Sequence, residues 1–161
     1  MSCTSVPADR VKEAVAPRDY YGSPMRLLVT GGAGFIGSNF ARYWVEQHPG
    51  DHVVVYDVLT YAGNRPNLSD IEDRIVFVQA DICDPVAAEK AMRSESIDTV
   101  VHFAAESHNS LAVLNPALFF RTNVLGTQTM LEAARQVGVA RFRRRLPGRF
   151  HRLPAARARP R

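Results

Sequence analysis

The 161-residue sequence predicts an α/β fold in which a doubly wound parallel sheet carries helices on both faces. Short apolar runs alternate with segments of helical periodicity along most of the chain. The first run breaks directly into glycines, and the second ends in an aspartate. The apolar runs are almost uninterrupted, which is typical of parallel strands that helices cover on both sides.

Each predicted element has a local reason. The strands are rich in β-branched residues, and the helices begin or end at Pro, Gly or a capping side chain. Asp84 precedes Pro85 as an N-cap, and Gly138 follows the last helix as a C-cap. The predicted strands are Leu27–Val29, His52–Asp57, Ile75–Val78 and Thr99–Ala105, and the helices run from the glycines to His48, from Pro85 to Arg93 and from Asn115 to Val137.

Three glycines follow the first strand at a fixed spacing. Gly31, Gly34 and Gly37 match the G-x-x-G-x-x-G pattern of a dinucleotide fold. In that pattern the first glycine permits a tight turn, the second admits a pyrophosphate to the backbone, and the third lets helix and strand pack closely. The diphosphate would then lie at the helix N-terminus. A plain strand–turn–helix connection also uses glycine, so the triplet needs a second signal.

Asp57 supplies that signal. It ends the second strand, 20 residues after Gly37, which is about the interval at which a carboxylate binds the adenosine ribose of a dinucleotide. An aspartate at a strand end can also be only a turn former. Its register with the glycine triplet favours a dinucleotide-binding Rossmann fold.

Composition excludes several classes of protein. Apolar residues make up 46% of the chain, but no run approaches the roughly 18 residues of a membrane-spanning helix. Residues 1–24 carry charges and no apolar core of a secretory signal. The two cysteines, Cys3 and Cys83, indicate neither a disulfide framework nor a metal site. We therefore expect a cytoplasmic protein without membrane partners.

The chain divides into three segments. Residues 1–24 form an expected flexible leader, and Met25 is a plausible true start. Residues 25–142 form the expected Rossmann domain. Residues 143–161 contain eight arginines and no acid, so that the first 142 residues carry 12 basic against 16 acidic residues. Nucleic-acid binding by this tail is not expected, because it has no stacking aromatic beyond Phe150.

Four ordered segments resemble a known family. They are Thr30–Gly37, Asp57–Asn64, Ala104–His108 and Thr122–Thr127. Together they resemble the N-terminal half of the extended short-chain dehydrogenase/reductases that act on nucleotide sugars. Within that family the Leu59–Asn64 loop and the Ala-Glu-Ser-His segment are similar to those of the dTDP-glucose 4,6-dehydratases. The resemblance covers residues 25–142, whereas Asn109–Ala112 depart from the dehydratase pattern.

The resemblance implies NAD as cofactor, a nucleotide sugar as substrate and a homodimer in the intact enzyme. It also implies roles for matching residues: Phe35 and Ile36 on the pyrophosphate, Asp57 and Thr60 at the adenosine ribose, Asp81 and Ile82 at the adenine, Phe103, Ala104, Ala105 and Thr122 along the cofactor, and Ser107 toward the sugar. The alternative is that Phe103–Ala105 are core and Thr122 is an ordinary helix residue. His102 and His108 are expected to be structural.

The catalytic residues that the resemblance implies are absent from the printed sequence. The family uses a Tyr-x-x-x-Lys pair, and the dehydratases add an Asp–Glu pair, on and after a fifth strand. Here that strand should begin at Arg141–Phe142, but Arg143–Arg145 and Pro147 follow, which a central buried strand would not accommodate. We therefore expect a sheet truncated after about four strands, a disordered and frameshifted 143–161 tail, and an inactive chain. The alternatives are half of a nucleotide-sugar epimerase or decarboxylase, or a non-catalytic NAD-binding fragment.

Overall fold

The computed structural model describes residues 24–108 and 113–144, which form one five-stranded parallel sheet flanked by helices. This confirms the predicted doubly wound fold. The strands are β1 (Arg26–Thr30), β2 (His52–Asp57), β3 (Val76–Gln79), β4 (Thr99–His102) and β5 (Arg141–Arg144), in the spatial order β3-β2-β1-β4-β5. The helices are α1 (Phe35–Gln47), α2 (Pro85–Ser94), α3 (Pro116–Phe120) and α4 (Thr127–Val137), with short 3₁₀ helices at Arg65–Leu68 and Glu72–Arg74.

Helices cover both faces of the sheet because alternate strand residues point to opposite sides. On one face Leu28, Val54 and Val100 pack with Met92 of α2 and Met130 of α4. On the other face the β-branched residues of β1 and β2 pack with α1: Val29, Val53 and Val55, with Ala41 and Val45. The central strands are buried on both sides, as their apolar sequences predict.

The helix ends follow their local sequence signals. The side chain of Asp84 accepts hydrogen bonds from the amides of Val86 and Ala87 at the start of α2, and Pro85 occupies its first position. Gly138 ends α4 with φ +82°, a left-handed conformation that favours glycine, and its amide donates to the carbonyl oxygen of Ala134.

Three predicted elements have different bounds. Strand β3 is shifted by one residue, and β4 ends at His102, so that 103–105 continue as a loop beyond the strand. The long helix predicted over Asn115–Val137 is divided, because Arg121–Gly126 form a π-helical turn between α3 and α4. Thr127 donates to the carbonyl oxygen of Asn123 within this region.

The fifth strand is the main difference from the sequence prediction. Arg141–Arg144 pair in parallel with Thr99–His102, so the sheet has five strands rather than four and extends two residues past 142. The strand forms because β5 is the outermost strand of the described sheet, not a central one. Arg143 and Arg144 are therefore exposed to solvent and are not buried in the core.

Several predictions lie outside the described residues. They concern residues 1–23 of the leader, the Asn109–Ala112 departure and residues 145–161 of the tail. Within residues 24–108 and 113–144, no helix is long and apolar enough to cross a membrane.

Candidate functional site

A cavity of about 370 Å³ opens at the carboxyl ends of the strands. The chain runs outward from β1 to β2 and β3 on one side, and crosses to β4 and β5 on the other. The point where the strand order reverses lies between β1 and β4, and ligands of open α/β sheets bind in the crevice there. Residues that follow β1, β2, β3 and β4 all line this cavity.

The cavity brings together every binding residue that the sequence predicts. These residues come from the glycine turn, from the loops after β2, β3 and β4, and from the π-helical turn. They are Gly31, Gly34, Phe35, Ile36, Gly37, Asp57, Thr60, Asp81, Ile82, Phe103, Ala104, Ala105, Ser107 and Thr122. Their individual ligand contacts remain predictions.

The glycine turn is sterically required at two positions. Gly31 has φ +65°, and a Cβ there would lie 2.6 Å from the amide nitrogen of Ala104. A Cβ on Gly37 would lie 2.2 Å from the carbonyl oxygen of Gly31. Gly34 differs, because a Cβ there would meet only the carbonyl oxygens of Gly31 at 3.3 Å and Ala62 at 3.8 Å. The backbone is thus packed too closely for a side chain at the first and third glycines, whereas the second glycine has room for one.

Helix α1 starts at this turn without a side-chain cap. Gly34 is its N-cap residue, and the first turn contains no acidic residue. The first amide N–H groups of a helix have no acceptor within the helix, and they carry a partial positive charge. Phe35, Ile36 and Gly37 line the cavity, so this end of α1 fits an anionic group such as a diphosphate.

The Asp57 carboxylate is held in place at the end of β2. Oδ2 accepts from the amide of Ala33 at 2.9 Å, and Oδ1 accepts from the amide of Leu59 at 2.8 Å. The residue is 8% exposed and lines the cavity. A carboxylate has about four lone-pair positions, so two hydrogen bonds leave capacity for ribose hydroxyl donors. The fixed carboxylate therefore fits the role predicted from its interval.

An ion pair joins the loop after β3 to the π-helical turn. Nη2 of Arg121 donates to Oδ2 of Asp81 at 2.8 Å, and Oδ1 accepts from the amide of Cys83 at 2.9 Å. Burial alone would raise the pKa of Asp81, but the Cys83 amide and the Arg121 guanidinium hold it below its usual value. Asp81 is thus a carboxylate whose position is fixed beside Ile82 at one end of the cavity.

His102 ends β4 and connects three elements through its ring. Its ring is fully buried, with Nδ1 2.7 Å from Oγ1 of Thr30 and Nε2 3.2 Å from Oγ1 of Thr127. The Thr127 hydroxyl donates to the carbonyl oxygen of Asn123, so it accepts from Nε2–H, and Nδ1 accepts from Thr30. Burial first, and the charge of Arg144 second, lower the pKa of His102 to about 4. A neutral imidazole therefore links β1, β4 and the start of α4.

The cavity also contains residues that the sequence analysis did not select. Four of them belong to segments already singled out: Val58, Ala62 and Gly63 to the loop after Asp57, and Glu106 to the Ala-Glu-Ser-His segment. Leu118 lies four residues before Thr122, and helical spacing was the available signal for it. Tyr56 had no sequence signal beyond the apolar strand; its hydroxyl donates to the carbonyl oxygen of Asp81 at 3.0 Å.

Known proteins match this chain over the region that forms the cavity. A family model described as GDP-mannose 4,6 dehydratase matches residues 28–148. The chain belongs to this family. A relative named dTDP-glucose 4,6-dehydratase from Mycobacterium tuberculosis (strain ATCC 25618 / H37Rv) is 57% identical over 115 residues, which are 71% of this chain and 34% of the relative. This member of the GDP-mannose 4,6 dehydratase family thus spans about a third of that relative's length.

Solved structures of two enzymes resemble the same region. One is DesIV, a dTDP-glucose 4,6-dehydratase from Streptomyces venezuelae with NAD bound, at 48% identity and a TM-score of 0.69; the match covers 73% of this chain and 38% of that one. The other is a UDP-glucose 4-epimerase from Thermus thermophilus in complex with NAD, at 38% identity and a TM-score of 0.67, with 73% and 36% covered.

Proposed function

We propose that this chain is the NAD-binding portion of a dTDP-glucose 4,6-dehydratase, an enzyme that converts dTDP-glucose to dTDP-4-keto-6-deoxyglucose in deoxysugar biosynthesis. The observation that carries the proposal is the cavity at the strand-order reversal, where an uncapped helix N-terminus and a fixed carboxylate face the same space. The first suits a diphosphate, and the second suits a ribose diol.

The cavity suggests an order for the dinucleotide. The diphosphate would lie against Phe35 and Ile36, with Asp57 and Thr60 at the adenosine ribose. Asp81 and Ile82 would flank the adenine. The nicotinamide half would lie along Phe103, Ala104, Ala105 and Thr122. Ser107 would then face the sugar. Each assignment is supported by the residue's place in the cavity lining.

The dehydratase is favoured over an epimerase by sequence identity. The mycobacterial dehydratase is 57% identical to this chain and DesIV is 48% identical, whereas the Thermus epimerase is 38% identical. DesIV and the Thermus epimerase both match the fold of this chain, so the fold alone does not distinguish a dehydratase from an epimerase. The proposed substrate is accordingly dTDP-glucose.

Bound NAD would supply a hydride acceptor for oxidation of the sugar at C4, and would later return that hydride to C6 after loss of water. The described residues of this chain would bind and orient the cofactor. Lys90, the lysine among them, is exposed on α2 and lies outside the cavity. We infer that the printed chain alone does not turn over substrate, because it carries no Tyr-x-x-x-Lys pair after residue 142.

We further propose that the intact enzyme is a cytoplasmic homodimer. Support for dimerisation comes from large apolar side chains exposed on and near the α3–α4 region, including Phe120, Val124 and Leu131. Aromatic side chains such as Phe120 are enriched at interfaces between subunits. The reduced cytoplasmic setting rests on the low cysteine content of the chain.

A fluorescence titration with NADH and NADPH tests the proposal. We expect saturable binding of NADH, and weaker binding of NADPH by about tenfold or more, because the Asp57 carboxylate would repel a 2′-phosphate. Isothermal titration with NAD⁺ and NADP⁺ provides the matched control without a fluorescent reporter. Absence of NADH binding would refute the proposed function, and equal affinity for the two cofactors would refute the role of Asp57.

A further inference from the structure

A hydrogen bond connects the two loops beside the cavity. The hydroxyl of Tyr61, in the loop after β2, donates to Oε2 of Glu106, in the loop after β4, at 2.9 Å. Forty-five residues separate the two along the chain. The residues next to Tyr61 and the residues next to Glu106 both line the cavity. The bond therefore links two loops that contribute to the same site.

The two partners of this bond differ in exposure. The Tyr61 side chain is 61% exposed, and its ring edge approaches His108 with 6.3 Å between ring centroids. Glu106 is 8% exposed and faces the cavity. Tyr61 does not belong to the cavity lining that the described residues form. The bond thus joins an exposed side chain outside the lining to a buried carboxylate within it.

Each loop is separately anchored to the sheet or to a helix. The side-chain amide of Asn123 accepts from the Glu106 amide and donates to the Glu106 carbonyl oxygen, both at 2.9 Å. In the other loop, the amide of Leu59 donates to Asp57 and the amide of Asn64 donates to the carbonyl oxygen of Ala33 at 3.0 Å. Because these anchors hold each loop by itself, the Tyr61–Glu106 bond is not needed to form either loop.

We propose that Tyr61 is a positioning residue whose hydrogen bond to Glu106 straps the two loops over a bound dinucleotide and slows its release. The inference rests on the proposed function, since it concerns the same cavity. Thr60 and Ala62 flank Tyr61, and Ala105 and Ser107 flank Glu106, so the bond joins two loops that both contribute residues to the cavity lining. Breaking the bond lets them separate.

The test measures the dissociation rate of NADH from the full chain by stopped-flow fluorescence, with excess NAD⁺ added to prevent rebinding. Tyr61→Phe removes the hydroxyl and keeps the ring, and we expect the dissociation rate to rise about tenfold, because the bond has a charged acceptor. Tyr43→Phe is the matched control: Tyr43 is 58% exposed, lies on α1 and does not line the cavity. Its dissociation rate should equal that of the unaltered protein.

A double variant tests whether Tyr61 acts through Glu106. If it does, adding Tyr61→Phe to Glu106→Leu should cause no further acceleration of NADH release, because either change removes the same bond. An unchanged dissociation rate in Tyr61→Phe, with NADH binding intact, would overturn the proposed role of Tyr61. Additive effects in the double variant would do the same. Neither result would contradict the proposed function. Absence of NADH binding to the unaltered chain would overturn the proposed function and the strap with it.

Discussion

Two helices of this fold begin in opposite ways. Both α1 and α2 follow a parallel strand, and both have first-turn amides that no carbonyl within the helix can accept. At α2 the protein supplies the acceptor itself, since the Asp84 carboxylate binds the amides of Val86 and Ala87 at 2.9 and 3.0 Å. At α1 the N-cap is a glycine with no side chain to offer.

The difference is between a helix end capped by the protein and one that is left uncapped. The start of α2 is complete without any ligand, so it contributes to folding alone. The start of α1 faces the cavity with its amides and its partial positive charge available. The N-cap residue thus determines whether the first amides of each helix have an acceptor within the protein or remain available to an anion.

Gly37→Ala should have the largest effect, because it breaks the packing that sets α1 in place. The added Cβ would lie 2.2 Å from the carbonyl oxygen of Gly31, and we expect a loss of about 3 kcal/mol in the free energy of unfolding together with loss of NADH binding. Urea unfolding and NADH titration measure the two effects. The control is Gly50→Ala, where a Cβ would meet nothing within 4 Å. Equal stability of the two variants would contradict this account of the turn.

Gly34→Asp should have an intermediate effect, because it gives α1 the kind of cap that α2 has. Gly34 has φ −74° and ψ 170°, a conformation that any residue adopts, and its Cβ position has room. A carboxylate there would repel a diphosphate, so we expect NADH affinity to fall about tenfold or more. Gly34→Asn caps the helix without a charge and should lose less affinity. If both variants bind NADH as tightly as the unaltered chain, α1 does not hold the anion.

Asp84→Ala should have the smallest effect and should be confined to folding. Removing this N-cap leaves two amides of α2 without their acceptor, and we expect a loss of about 1 kcal/mol in the free energy of unfolding. NADH affinity should not change, because Asp84 does not line the cavity that the described residues form. Asp84→Ser retains a capping oxygen and should recover most of the stability. A weaker NADH affinity in Asp84→Ala would remove the distinction between the two helix ends.

Much of the site was predictable because its signals are local in sequence. The glycine spacing reflects steric limits within one turn, and the bounds of β2 follow from a β-branched run that ends in Asp57. Parallel strands then bring their carboxyl ends to one edge. That arrangement placed residues as distant as Gly31 and Thr122 around one cavity.

The features that were not predicted depend on contacts between distant segments. Strand β5 forms because β4 offers a free edge, which the arginine-rich sequence does not reveal. The hydrogen bond between Tyr61 and Glu106 depends on how two loops, 45 residues apart in the chain, are placed next to each other. The π-helical turn interrupts a segment whose helical periodicity is continuous, and no proline marks it.

The arginines of β5 have a further consequence for association between molecules. An outermost strand presents unpaired backbone groups that can template pairing with a strand of another chain. Phe142 turns toward the core formed by α2 and α4, while Arg143 and Arg144 remain in solvent. Two adjacent positive charges on this strand repel the same strand of a second copy. Residues that oppose burial in a sheet centre therefore also oppose pairing between two copies at this edge of the described sheet.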